Sequence, residues 1–234
     1  VVVKKLAAFI ERYPAVSLSL VAGEFTGSLE NSGERITLLD ATDASIKGFV
    51  YDDQFPWPVS PDGDGYSLVL NCDTANPDHN LAVNWRSHAT LHGNPGGPDG
   101  ESWADFVAFH GLSGVLTTDP DLDGTSDCEE DIFGTDPNAK DSDSPTNISL
   151  QTVFVDGMFQ EFLTITVQRN LNDGEILIIP EFTTDLLTWT EADIIMFDAV
   201  NQGDGTDLIS WRTTLPAFDP AKDRCFMRLR IEGK

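Results

Sequence analysis

The chain has 234 residues, enough for two compact domains that each bury a core. Its 14 basic and 39 acidic side chains leave a formal charge of −25, which opposes nucleic acid and anionic membranes and favours cationic partners. No apolar run reaches membrane-spanning length, so membrane insertion is not expected, and Cys72, Cys128 and Cys225 lie too far apart in sequence to read as a disulfide framework.

The opening "VVVKKLAAFIERYP" predicts a short strand and then an amphipathic helix, with Leu6, Phe9 and Ile10 on one face and Pro14 as its stop. A start at Val1, without an initiator methionine, reads as a processed or truncated product whose signal peptide would lie upstream. Strand-like segments follow in "GEFTGSL", "ERITLLDA", "SIKGFVYDD" and "YSLVLN", bounded by Gly, Asn and Asp, with "TDAS" as a hairpin turn. "GEFTGSLENSGERITLLDA", "FVYDDQFPWP", "DGDGYSLVL", "NWR" and "HGNPG" occur in the order of the lamin-tail domain, which this stretch resembles over residues 1–97. The resemblance implies a β-sandwich of immunoglobulin-like fold whose opening strands are missing. Such a domain exposes a sheet edge open to strand addition, unless the remaining strands hold together without them.

Three features of this part carry competing readings. His88 and His92 have the spacing of helical zinc ligands, but "SHATLHGNPGG" is a loop with no Glu between them, which favours surface loop histidines. "SPDGDGYS" offers Asp62 and Asp64 to a cation, or is simply a turn before a strand. Trp57 and Trp85 are either sugar-stacking platforms or core residues, and the resemblance favours core.

"GPDGESWADFVAFHGL" begins as a Pro/Gly linker and continues as a helix opened by a capping box of Ser102 and Asp105. Next comes "DPDLDGTSDCEEDIFGTDP". With Asp119 as position one of a calcium loop, Asp121 is third, Asp123 fifth, Gly124 sixth, Thr125 seventh, Asp127 ninth and Glu130 twelfth. Calcium takes six to eight oxygens at about 2.3 to 2.6 Å, so alternate residues turn carboxylates inward while a glycine makes the sharp bend. Thr125 would contribute its backbone carbonyl and Glu130 two oxygens. An acidic solvated linker is the competing reading, because the same residue types build turns without an ion. Residues 119–143 carry ten acidic side chains against Lys140, a net charge of −9, and should loosen without cations. The stretch resembles the thrombospondin type 3 calcium repeat of secreted bacterial proteins. Asp136, Asn138, Asp141 and Asp143 form a second set of oxygens, but Pro145 stands where a second loop needs glycine. A short helix through "CEEDIF" would be anchored by Ile132 and Phe133.

From residue 148 the apolar pattern returns to period two: Leu163, Ile165 and Val167 alternate with Thr164, Thr166 and Gln168, with turns at "NLNDG" and "NQGDGTD". "TTDLLTW" and "RCFMRLRI" resemble a C-terminal β-sandwich module of bacterial surface proteins, which implies no catalysis. In the last strand Arg224, Arg228 and Arg230 share a face with Phe226, opposite a core face of Cys225, Met227, Leu229 and Ile231. That basic stripe either docks on carboxylates of a neighbouring chain or of the calcium segment, or is a solvated face.

The expected fold is mainly β, with two antiparallel immunoglobulin-like β-sandwiches at residues 1–99 and 148–234 and a helical calcium-binding linker at 100–147. No nucleophile elbow, phosphate loop, zinc set or dinucleotide fingerprint occurs in the sequence. The leading functional expectation is a non-catalytic extracellular or cell-surface protein, stiffened by calcium, acting in adhesion or self-assembly. Its expected partners are further copies of itself, as an oligomer or filament through exposed sheet edges, or a surface glycan or surface protein. The alternatives are the tail of a larger secreted enzyme and a carbohydrate-binding module.

Overall fold

A computed structural model describes residues 1–72, 75–140, 144–218 and 224–233. Asp141 and Asp143 lie outside the described residues. The fold is mainly β, with several separate sheets and three short α-helices among the described residues. None of these helices is long and apolar enough to cross a membrane.

Strand β1 (Val2–Val3) pairs in parallel with β2 (Gly23–Glu24), and helix α1 (Leu6–Arg12) lies between them in sequence. The strand expected across "GEFTGSL" is thus only two residues long. The apolar face of α1 is formed as its spacing requires, yet no residue of the helix is buried. Seven residues make only two turns, and of them Phe9 alone is half-buried.

Strands β3 (Arg35–Leu39) and β4 (Ser45–Val50) form an antiparallel hairpin. Its turn is held by Asp40, whose Oδ1 accepts from the Thr42 amide (2.7 Å), the Thr42 hydroxyl (2.7 Å) and the Ala44 amide (3.0 Å). This is the local bonding that makes Asp a turn former. Strands β5 (Leu68–Leu70) and β6 (Trp85–Ser87) form another two-stranded sheet. Packing here centres on Trp85, whose ring centroid lies 5.2 Å from Phe49, 5.9 Å from Trp57 and 5.6 Å from His79. Trp57 is buried and Trp85 half-buried, and both pack in this aromatic cluster. His88 is also buried, with its Nδ1 accepting from the Thr90 amide, which corrects the expectation of a surface histidine at this position.

Helix α2 (Trp103–His110) carries the expected capping box between Ser102 and Asp105 and ends at Gly111 in the left-handed conformation. Helix α3 (Asp127–Phe133) follows, and then six strands: β7 (Thr146–Val155), β8 (Met158–Asn170), β9 (Ile176–Thr183), β10 (Ile194–Asn201), β11 (Thr206–Thr213) and β12 (Phe226–Gly233). They form a four-stranded antiparallel sheet, in the order β10-β11-β8-β7, and a two-stranded sheet of β12 and β9. Both sheets feed one core: Ile165 and Val167 from β8, Phe182 from β9, Ile209 and Trp211 from β11, and Met227 from β12. Ile132 and Phe133 of α3 belong to the same core, as the anchoring expectation required.

Two arginines of the basic stripe on β12 meet carboxylates of β9 and of the segment after it. Arg228 donates from Nε to Glu181 at 2.7 Å, and Arg230 donates to Glu181 and Glu191 at 2.8 Å each. Hydrogen bonds from Arg230, then Arg228, hold the Glu181 carboxyl below its usual range. These two arginines are therefore engaged with Glu181 and Glu191 of this chain and not with the calcium segment.

The N-terminal part is joined to the C-terminal sheets through polar contacts at the β8–β9 turn. Arg86, 1% exposed, donates to the Leu171 carbonyl at 2.6 Å and to the Asp99 carbonyl at 2.8 Å. Arg169 pairs with Asp207 at 2.6 Å and reaches Asn71 at 3.1 Å. Gly100 lies so close to this turn that a Cβ there would come within 2.6 Å of the Gly174 amide nitrogen. Two further bonds, from the Asn172 side chain to Glu101 and from the Trp103 amide to Glu175, tie the start of α2 to the same turn.

Candidate metal centre

The loop that leads into α3 folds by the bonding its sequence encodes. Asp119 accepts from the Leu122 amide at 2.8 Å through Oδ1 and from the Gly124 amide at 3.1 Å through Oδ2. Asp121 accepts from the Asp123 amide at 3.2 Å, and Asp123 from the Thr125 amide at 2.7 Å. Gly124 makes the bend at φ +103°, a conformation that a side chain would strain. The loop is closed at its base by the Asp127 amide, which donates to the Thr118 carbonyl at 2.7 Å.

Helix α3 begins with a second capping box, in which the Ser126 amide and hydroxyl donate to Glu129 at 2.9 and 2.7 Å. The Ser-x-x-Glu spacing is a helix-start signal that the sequence reading passed over. Its consequence is a division of labour: Glu129 caps the helix, while Glu130, one residue on, is turned into the interior. Both Asp127 and Glu130 are 0% exposed.

The carboxylates of Asp119, Asp121 and Asp123 each place an oxygen within 4.8 Å of the others. Burial pushes the Glu130 carboxyl up to about 8, and the charges of Asp121, Asp123 and Asp127 add to the effect. Burial, with Asp119 and Asp123 alongside, also raises Asp121. Among the described residues three buried carboxylate oxygens have no hydrogen-bond partner: Asp121 Oδ2, Asp127 Oδ1 and Glu130 Oε2. All three belong to positions three, nine and twelve of the expected loop. A buried carboxylate oxygen left unpaired is costly unless a proton or cation meets it. The donor set is all oxygen and strongly anionic, which suits a hard divalent cation and not a soft one.

The second set of oxygens is placed differently. Asp136 is exposed; its Oδ1 accepts from the Asn138 amide at 3.1 Å and stands 3.6 Å from His110 Nδ1. Asn138 donates to the His110 carbonyl at 3.2 Å. Both residues thus brace the C-terminal end of α2. Lys140 donates to the Leu122 carbonyl at 2.9 Å and so lays a positive charge against the acidic loop.

Residues remote in sequence hold the centre to the sheet. Gln168 donates to the Phe133 carbonyl at 2.8 Å, and Asn170 to the Asp131 carbonyl at 2.9 Å, satisfying the last carbonyls of α3. Strand periodicity marked Gln168 only as an outward polar position, and no local signal assigns it a helix to cap.

A cavity of ≈ 330 Å³ also lies between the two parts of the chain, lined on one side by Pro56, Pro58 and Trp85 and on the other by Ile178, Pro180 and Trp211. Of its charged lining residues, Arg169 and Asp207 pair with each other and Glu191 pairs with Arg230, so they offer a ligand little that is unmet. The acidic loop is the better candidate site. No family model, curated protein or solved structure matches this chain.

Proposed function

We propose that residues 119–130 bind one calcium ion through Asp119, Asp121, Asp123, the Thr125 carbonyl, Asp127 and Glu130, and that the ion is structural. The observation that carries this reading is the trio of buried, partnerless oxygens on Asp121, Asp127 and Glu130. A cation there neutralises carboxylates that otherwise repel one another and fixes α3 against the β8 end of the core. The ion then stiffens the joint between the N-terminal part and the C-terminal sheets.

The protein so described is a non-catalytic structural or adhesion module, built from two β-sandwiches of immunoglobulin-like type around a calcium-clamped connection. An extracellular or cell-surface setting suits it, because loops of modest affinity fill where calcium is millimolar. The lamin-tail and thrombospondin type 3 resemblances support the same setting through the motifs that carry them.

Calorimetric titration of chelator-stripped protein with calcium tests this. Saturable binding to one site, lost in Asp121→Asn and Glu130→Gln, is the expected result. Absence of binding, with a melting temperature indifferent to calcium, would sink the proposal.

A further inference from the structure

Asp127 and Glu130 are the two acidic residues of the loop at 0% exposure, and each has one carboxylate oxygen met and one unmet. The oxygens that are met find threonine hydroxyls from outside the loop. Thr118, the residue before it, donates from Oγ1 to Asp127 Oδ2, and Thr135, on the turn after α3, stands 3.4 Å from Glu130 Oε1. The spacing that marks the loop assigns a role to neither threonine.

Thr118 holds Asp127 at both ends. Its carbonyl accepts from the Asp127 amide at 2.7 Å while its hydroxyl meets the carboxylate, and beside it the Leu116 carbonyl accepts from the Cys128 amide at 3.3 Å. Residues 116–118 thereby lie along the first turn of α3. An acidic residue in that turn ordinarily gives its oxygens to the open amides of the helix end. Here the capping box of Ser126 and Glu129 already occupies that end, so Asp127 is not needed there. The Thr118 hydroxyl has one hydrogen and two acceptors in reach, Asp127 Oδ2 and the Val115 carbonyl at 2.8 Å. An ionised carboxylate is the stronger acceptor, which gives the hydrogen to Asp127. With its amide and Oδ2 both held, the side chain is fixed, and Oδ1 stands buried without a partner.

We infer that Thr118 is a positioning residue of the calcium centre, which fixes Asp127 through its amide and Oδ2 and so presents Oδ1 as the ninth-position ligand. The inference rests on the calcium reading of residues 119–130 and adds to it the group that orders one ligand before the ion arrives. An ion that meets Asp127 already ordered does not have to order it, and the freedom not lost on binding appears as affinity. Without the hydroxyl Oδ2 is unpaired and the side chain is free to turn, so water replaces Oδ1 on the ion.

Calorimetric titration of calcium into the chelator-stripped full chain compares wild type with Thr118→Val, which keeps the shape and removes the hydroxyl, and Thr118→Ser, which keeps the hydroxyl. The valine variant should bind calcium about 10- to 100-fold more weakly, and the serine variant should stay close to wild type. Europium(III), loaded in place of calcium, reads the first shell directly, because its luminescence decay in H2O and D2O counts the waters on the ion. Thr118→Val should carry about one more water than wild type or the serine variant, whereas a threonine that only braced the fold would leave the count unchanged. If the valine variant loses its native circular dichroism, Thr118→Ala removes the same hydroxyl and is read in the same way. Wild type that binds no calcium would overturn the calcium reading and this inference with it. Wild type that binds, beside a valine variant that binds as tightly or keeps the same water count, would overturn this inference alone.

Discussion

Removing calcium from this protein should make its stability fall as pH rises, the reverse of ordinary acid denaturation. Glu130 is fully buried, and its carboxyl is pushed from 4.5 to about 8 by burial and by Asp121, Asp123 and Asp127. Below 4.5 the carboxyl is protonated in folded and unfolded chains alike, so it costs nothing. Between 4.5 and about 8 the unfolded chain releases the proton while the folded chain holds it, and unfolding gains ground until the loss is complete near 8. The difference, 8 − 4.5 = 3.5, corresponds at about 1.36 kcal/mol each to a ceiling of about 5 kcal/mol. Water entering a chelated loop screens this to an expected 2 to 3 kcal/mol, roughly. Urea unfolding in chelator, followed by circular dichroism from about pH 5 to 8, measures it. In saturating calcium the ion takes the place of the proton and the same profile should be flat. Glu130→Gln in chelator should also be flat. If chelated wild type is equally stable at both ends of the window, or if Glu130→Gln keeps the slope, the assignment of Glu130 to the centre is wrong.

Other expectations follow from the packing. Arg86→Ala should cost about 2 to 4 kcal/mol, because it leaves the Leu171 and Asp99 carbonyls without their buried donor, and it should split urea unfolding into two transitions as the N-terminal part detaches. Ile132→Ala, at a core position that is 1% exposed, should cost about 2 to 5 kcal/mol in calcium and weaken calcium binding in the same titration, since α3 would lose its seat on β8. Glu181, held low by Arg230 and Arg228, contributes stability that is present above its unfolded range and lost as pH falls through the folded one. Glu181→Gln should therefore weaken the protein at neutral pH and blunt its acid unfolding, read by thermal melts from neutral to acid pH.

Much of the local structure was legible because it depends on near neighbours. The capping box at Ser102, the bend at Gly124, the turn between β3 and β4 and the alternation along β8 all rest on bonds within a few residues. The same locality explains the legibility of the acidic loop, whose Asp119, Asp121 and Asp123 are bonded to amides two to five residues ahead. Resemblance pointed to a sandwich without its opening strands in residues 1–99, where the described residues form three separate two-stranded sheets. Short runs such as "GEF" and "YSLVL" have strand character, but their extent depends on partners that no single run specifies.

The sequence by itself thus determined which residues of the loop carry the carboxylates, that the fold is mainly β, and that the molecule is strongly acidic. Only the tertiary structure decided that α3 is part of the C-terminal core, that Arg228 and Arg230 are met by Glu181, that Arg86 joins the two parts, and that β7 is left at an open edge. Spacing along a chain sets direction and periodicity, which are local. Burial and pairing depend on what arrives from elsewhere in the chain: the same Glu that would be solvated in a linker becomes a buried carboxyl with one oxygen unmet once its helix packs on β8.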